Sequence, residues 1–301
     1  MSDKKNDSIL IFILSITFVL LYSSGFVAVK LGFPFAQPLV FLVYRFGINA
    51  LILLLFSFII KGKWPSSFMQ VIHISVAGLF LVGVFSIGTW ISMSMNVPPA
   101  TSALIVSLQP LAVAVTSHFI YKTNINLKQW LGLLLGLLGV ILVLGKNACI
   151  STTYLDGILM SFLGLLGLSV GNLYQKRFCH NMNILTGGVI QSISSGVACL
   201  ILALFFERFT VQWSGQFIFS LIWMSVVVSL CAVSCLYILL RKGESYRVSS
   251  LFYLIPVITA FISYFVFGTK LNAMEFIGIA IATLGVSLIN IKFKTKKHLL
   301  T

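Results

Sequence analysis

Long apolar runs recur along the whole chain, and short polar breaks separate them. A helix needs roughly 20 predominantly apolar residues to span a bilayer, and ten runs have about that length. We predict transmembrane helices at about 9–29, 38–60, 71–94, 99–121, 128–145, 156–177, 183–206, 217–239, 248–267 and 274–291. A membrane β-barrel is excluded, because its strands are shorter and alternate in polarity.

The composition favours the same fold class. Hydrophobic residues make up 59% of the 301 residues and charged residues only 9%, whereas soluble domains carry roughly 25% charged residues. So few charges cannot cover a soluble surface, which excludes a soluble enzyme and a disordered chain. The sequence therefore predicts an all-α integral membrane protein with one membrane domain.

The basic residues predict the orientation of the chain, whose formal net charge is +14. With a cytoplasmic N-terminus, 15 of the 20 Lys and Arg residues fall in cytoplasmic breaks, four fall in outer breaks, and Arg45 lies within a helix. By the positive-inside rule, both termini are cytoplasmic and the number of helices is even. We therefore expect a multi-pass protein of the cytoplasmic (inner) membrane, with the lipid bilayer as its surroundings.

The first apolar run follows Lys4-Lys5, as the core of a signal peptide would. Its length of about 21 residues exceeds the 7–15 residues of such a core, so we predict a retained first helix. The five cysteines form no C-x-x-C pair; Cys231 and Cys235 lie four apart in an apolar run. We expect them to pack as small apolar residues, and we expect no metal site and no cofactor.

The chain matches itself without a gap when it is shifted by 146 residues. Segments 110–142 and 256–288 share 11 identities in 33 positions, against roughly one in ten expected by chance. The shift predicts two repeats, 1–146 and 147–301, with five helices each. Because five is odd, the second repeat enters the membrane from the opposite side. Inverted repeats of this kind are typical of secondary transporters.

Several residues carry a resemblance to a known family. Lys30 ends the first helix, Arg45 lies early in the second, and Pro110 and Pro256 lie within the fourth and ninth helices. Gly-rich runs, Gly132…Gly139-Val140 and Gly278…Gly285-Val286, follow in both halves. With this spacing the whole chain resembles the drug/metabolite transporter (DMT) superfamily, EamA type, as two copies.

The resemblance implies export or exchange of small metabolites such as amino acids, through a central cavity between the repeats. Members commonly carry a Gly-Glu pair after the fourth helix of a repeat. Here those places read Lys122-Thr123 and Gly268-Thr269. The departure removes any role for these carboxylates, including charge coupling.

Proline and arginine within apolar helices are the first site candidates. Pro110 and Pro256 each free the carbonyl four residues back, so each marks a structural kink or a hinge at the cavity. Arg45 lies about 10 Å into its helix at 1.5 Å per residue. It serves either as a structural anchor or as a gate or attractor for an anionic substrate group.

Other polar and aromatic residues on the helices form a candidate substrate pocket, although each alone could bond a neighbouring helix. The candidates are Tyr22, Ser23, Ser86, Trp90, Gln109, Asn172, Ser229 and Tyr253. His118 is a candidate for proton coupling or else a packed residue. The acids all lie in breaks or near helix ends, so a carboxylate relay at mid-membrane is not expected.

The fifth and tenth helices carry stripes of small residues, Gly132-x-x-x-Gly136 and Gly278-x-x-x-Ala282. Such stripes allow close helix packing, and we expect them in scaffold or homodimer contacts. Taken together, the sequence predicts a ten-helix secondary transporter of a small metabolite, not an enzyme and with no nucleic-acid partner. The alternatives are a passive channel or facilitator, a non-transporting membrane sensor, and an intramembrane enzyme, for which no catalytic set is present.

Overall fold

The computed structural model describes residues 2–113, 127–144, 152–232, 234–235, 238–239, 251–252, 254–268 and 272–290. Within these ranges the secondary structure is helical apart from turns and one isolated antiparallel bridge between Ala36 and Val211. His118 and Tyr253, two of the candidates from sequence, lie outside the described residues.

The helices follow the predicted apolar runs closely. They are α1 (Ser2–Gly32), α2 (Pro38–Ile59), α3 (Phe68–Ser94), α4 (Pro99–Ser107, continuing to Val113 after a break), α5 (Leu127–Leu144), α6 (Thr152–Phe178), α7 (Ile184–Phe206), α8 (Gly215–Ala232), α9 (Leu254–Phe267) and α10 (Ala273–Asn290). Among the described residues, α1, α2, α3, α6, α7 and α8 are long and apolar enough to cross a membrane. The other four contribute shorter apolar segments. An all-helical membrane protein is thus confirmed, and the count of ten spans stays a prediction.

Short polar side chains fix where several helices begin. Ser67 accepts a hydrogen bond from the backbone of α3, and Asn183 and Ser214 do the same for α7 and α8. Asn272 and Glu275 bond each other's backbone N–H groups at the start of α10, both at 2.9 Å. These caps satisfy N–H groups that the first helical turn leaves unpaired.

Two long helices change their winding at matching places. α3 is π-helical at Leu79–Val84, and α8 is π-helical at Trp223–Ala232. Shifting the first segment by 146 residues places it at 225–230, within the second. A π-helical turn rotates the side chains that follow it and is frequent at functional sites. The matched positions give the two halves a common structural feature beside the candidate site.

The small-residue stripes of α5 and α10 pack against each other within the chain. A Cβ on Gly139 would come within 2.5 Å of the carbonyl oxygen of Gly278. A Cβ on Gly285 would come within 2.8 Å of the backbone nitrogen of Gly136. The opposite faces expose large apolar side chains such as Leu134. The stripes therefore serve the scaffold, and the homodimer remains a prediction without support from them.

A chain of buried hydroxyls joins three helices of the bundle. Ser161 on α6 donates to Ser92 on α3 at 2.7 Å and lies 2.9 Å from the hydroxyl of Ser102 on α4. All three side chains are fully buried. Hydroxyl bonds of this kind connect helices where the apolar surroundings offer no other partner.

Candidate functional site

Arg45 lies between helices of both halves of the chain. Its Nη1 donates to the hydroxyl of Ser86 on α3, and its Nη2 donates to the hydroxyl of Ser229 on α8, both at 3.3 Å. The guanidinium carbon also lies 5.3 Å from the ring centre of Trp90 and 5.4 Å from that of Phe46. The structure thus brings together four of the residues that the sequence singled out: Arg45, Ser86, Trp90 and Ser229.

The charge of Arg45 has no acidic partner among the described residues. Its contacts are hydroxyls and ring faces, and its Nε is buried without a hydrogen-bond partner. A cation that is partly withdrawn from water within a membrane helix is costly unless an anion or several acceptors offset its lost hydration. The guanidinium of Arg45 can therefore bind a negatively charged group.

Asn49 belongs to this site and was missed in the sequence analysis. It lies one turn after Arg45 on α2, and its Nδ2 donates to the hydroxyl of Ser229 at 3.1 Å. Ser229 in turn donates to the carbonyl of Met224, five residues back, at 2.9 Å. The i, i+4 spacing of Arg45 and Asn49 on an apolar helix was the available signal, since it places both on one face.

An aromatic cluster covers the guanidinium toward one end of the bundle. The ring of Trp90 lies 4.7 Å from Phe41 and 6.3 Å from Phe33, centre to centre. Phe41 lies 5.0 Å from Phe217, and Phe217 lies 5.6 Å from Trp213. We call these five residues the aromatic roof. Its edge-to-face and tilted ring contacts fill the space above Arg45 with apolar surface.

Tyr22 and Ser23 lie where α1 meets α9. Ser23 donates to the carbonyl of Ile255 at 3.3 Å, next to Pro256, and Thr259 donates to the carbonyl of Ser23 at 3.4 Å. Tyr22 borders a cavity of about 10 Å³, room for about one water molecule. The cavity is lined by Tyr22, Phe26, Ala103, Val106, Ser107, Phe252 and Ile255.

The helix that contains Pro110 is interrupted beside it. α4 ends its first segment at Ser107, Leu108 forms a turn, and the helix resumes at Gln109. A turn also precedes Pro256, at Phe252. Proline removes a backbone donor and crowds the preceding turn, which accounts for a break at each position. Both breaks lie beside the small cavity, and whether they act as hinges stays a prediction.

Asn172 bonds to the backbone of its own helix. Its side chain donates to the carbonyl of Leu168 on its own helix at 2.8 Å. This hydrogen bond occupies a donor of the amide group that the sequence analysis assigned to the substrate pocket. Among the described residues, no group of three or more His, Cys, Asp or Glu is arranged to hold a metal ion.

One end of the bundle is sealed by contacts between the α1–α2 and α7–α8 loops. Glu207, just after α7, accepts hydrogen bonds from the backbone N–H groups of Leu39 at 3.0 Å and Val40 at 2.9 Å. The backbone N–H of Arg208 donates to the side chain of Gln37 at 3.0 Å. Gln37 precedes α2 but does not cap it, so the carboxylate that caps α2 comes from the other half of the chain.

Backbone pairing completes this seal. The N–H of Gln212 donates to the carbonyl of Phe35 at 2.9 Å, and Ala36 pairs with Val211 as an antiparallel bridge. The sealed end therefore comprises residues 33–37 and 207–214, which contribute Phe33 and Trp213 to the aromatic roof. By the charge distribution it is the end predicted to face outward.

A pocket of about 560 Å³ opens at the opposite end. It lies between the α2–α3 loop and the α6–α7 loop, and its lining includes Lys63, Ser66, Gln70, His180 and Asn181. Next to it, His73 Nδ1 lies 2.8 Å from the hydroxyl of Tyr174. Burial raises the pKa of the Cys179 thiol in its wall, so this thiol stays protonated at neutral pH.

Comparison with known proteins gives a consistent answer. The model of the EamA-like transporter family matches residues 9–145 and again 155–291, two stretches that begin 146 residues apart. The uncharacterized transporter YyaM of Bacillus subtilis (strain 168) is 26% identical over 285 residues, covering 92% of each chain. YoaV of the same organism, also an uncharacterized transporter, is 22% identical over 95% of this chain and 97% of its own.

A third relative carries a more specific name. The probable amino-acid metabolite efflux pump of Escherichia coli (strain K12) is 19% identical over 91% of this chain and 92% of its own. One solved crystal structure superposes with a TM-score of 0.66 over 92% of this chain and 95% of that chain, at 17% identity, which shows a shared fold. Because the family model matches both halves of the chain, this multi-pass membrane protein belongs to the EamA-like transporter family, within the drug/metabolite transporters.

Proposed function

We propose that this protein is a secondary transporter that moves a small metabolite bearing a carboxylate, such as an amino acid or a related compound, across the cytoplasmic membrane. The direction we expect is export or exchange. Arg45 holds the carboxylate, and the two repeats, which we take to be inverted, rock around it to expose the site to each side in turn.

The observation that carries this proposal is the unpaired charge of Arg45. A positive group that lies between the two halves of the chain, with hydroxyls and rings around it but no acid among the described residues, suits an anionic guest. Guanidinium binds carboxylates through two parallel hydrogen bonds, a geometry that fixes the guest's orientation as well as its charge. The name of the Escherichia coli relative, an amino-acid metabolite efflux pump, agrees with this substrate class.

The asymmetry between the two ends supports alternating access over a passive channel. One end is sealed by backbone and side-chain hydrogen bonds, while the other opens into a pocket of about 560 Å³. Beside Tyr22 the cavity measures only about 10 Å³, too small for a metabolite. A channel needs a continuous polar path, and the aromatic roof interrupts such a path above Arg45.

Flux measurements on purified protein in sealed proteoliposomes test the proposal. The panel consists of amino acids, amines, nucleobases and sugars, each measured with and without a pH gradient. We expect carboxylate-bearing solutes to exchange faster than neutral or cationic solutes of the same size. Folded protein that binds a solute of the panel but moves none of them would contradict a transporter and favour a sensor.

A further inference from the structure

The two ends of the bundle differ in the charged residues of their loops. Under the 146-residue shift, the sealed loops 33–37 and 207–212 correspond to 179–183 and 61–66, the loops around the large pocket. Glu207 then corresponds to Lys61, and Gln37 corresponds to Asn183. At the sealed end the two loops are joined by several hydrogen bonds. At the other end Thr186 on α7 donates to the carbonyl of Lys63 at 2.8 Å, and a pocket lies between the loops.

The capping of the helices explains this difference. At the pocket end, Asn183 caps its own helix by accepting from Leu185 and Thr186. At the sealed end, Gln37 leaves α2 uncapped, and the carboxylate of Glu207 accepts the two N–H groups instead. A cap supplied by the helix itself holds in any arrangement of the halves. A cap supplied by the other half forms only when the two halves are together.

We infer that Glu207 is the latch of the outer gate: its carboxylate ties the start of α2 to the end of α7, and the gate opens only when this cap is released. This positioning role rests on the proposed function, since it assumes that the sealed end opens during transport. The bonds that hold it join a full negative charge to a helix N-terminus, where anions are stabilised.

The latch acts together with the aromatic roof beneath it. Tyr44 on α2 lies 5.3 Å, centre to centre, from the roof residue Trp213, which contacts Phe217 of the same roof. Release of Glu207 frees the first turn of α2, and this turn contains Phe41, one of the roof residues. Opening the gate therefore requires the loop contacts and the ring contacts to separate together.

A disulfide across the seal tests the latch without any substrate. Ala36 and Val211 form a non-hydrogen-bonded antiparallel pair, whose Cα atoms lie about 4.5 Å apart in such geometry. That spacing suits a disulfide. The experiment introduces Ala36→Cys and Val211→Cys into a full-length variant in which the native cysteines are replaced by alanine or serine. The rate of oxidative cross-linking in membrane vesicles then reports how much of the time the gate is closed.

Glu207→Ala should lower the ratio of closed to open protein about tenfold, the effect of losing about 1.4 kcal/mol of charge-assisted bonding, and so slow cross-linking. The matched control is Glu275→Ala, which removes a capping carboxylate that serves its own helix and should leave the rate unchanged. Glu207→Gln keeps the shape of the side chain but sets an NH₂ group against a backbone N–H, so it should fold and slow cross-linking about threefold. Equal rates in all four proteins would overturn the latch.

A flux measurement distinguishes a failure of the latch from a failure of the proposed function. If the protein transports, the disulfide should stop flux and dithiothreitol should restore it. If cross-linking depends on Glu207 but no solute is transported, the latch stands and the transporter proposal fails. If flux continues with the disulfide intact, this end is not a gate and the latch is wrong.

Discussion

The Nη2 atom of Arg45 donates to the hydroxyl of Ser229 at 3.3 Å, and these two residues are 184 positions apart in the chain. The bond joins α2 of the first half to the π-helical part of α8 in the second. Asn49 donates to the same hydroxyl, so one oxygen atom serves two donors at the boundary between the halves.

Replacing Ser229 by alanine should destabilise the protein, because Arg45 and Asn49 both lose their hydrogen-bond acceptor. We expect the free energy of unfolding in mixed SDS micelles to fall by about 1–2 kcal/mol. In a double-mutant cycle with Arg45→Gln, the coupling between the two residues should be about 1 kcal/mol. Additive losses would show that the bond contributes nothing.

Gly139→Ala should separate α5 from α10. The added Cβ would meet the carbonyl oxygen of Gly278 at 2.5 Å, and a backbone atom cannot yield without moving the helix. We expect a loss of about 2 kcal/mol or more in unfolding free energy, in the range of overpacked cores. The control is Gly47→Ala on α2, where nothing lies within 4 Å; alanine there should be neutral or stabilise the helix. Similar behaviour of both variants would argue against the helix pair.

The buried hydroxyl chain predicts a second stability effect. Ser161→Ala removes the group that bonds both Ser92 and Ser102, and we expect a loss of about 1 kcal/mol, typical of bonds between membrane helices. Ser94→Ala is the control, since its exposed hydroxyl bonds only a carbonyl of its own helix. The free energies of unfolding of the two variants are compared in mixed micelles. If Ser161→Ala is as stable as the control, the buried hydroxyl bonds do not stabilise the protein.

Much of the fold follows from the sequence, because each span requires a long apolar run and polar breaks must lie outside the lipid. The observed α2 and α7 begin and end within a residue of the predicted runs 38–60 and 183–206. The sequence also predicts that Arg45 lies near polar side chains such as that of Ser229, because a cation within a membrane helix requires polar partners.

The remaining features depend on contacts that no local pattern encodes. Apolar periodicity does not distinguish π-helical from α-helical winding, so it gives no signal for the two π-helical segments. Glu207 was classed with the acids at helix ends, and only the tertiary structure shows that it caps α2 from the other half. The side chain of Asn172 donates to a carbonyl of its own helix. The sequence does not show whether such an amide bonds its own helix or a substrate.

The most direct test of the account compares a transported amino acid with its amide in proteoliposomes. Both molecules have the same shape, but only the acid offers a carboxylate to Arg45. We predict that the native protein moves the acid at least tenfold faster, the value of one strong charge-assisted bond, and that Arg45→Gln abolishes this preference. Arg177→Gln, which removes an exposed arginine that lies over Phe178, should retain it. Equal flux of acid and amide through the native protein, or a preference unchanged in Arg45→Gln, would contradict the account.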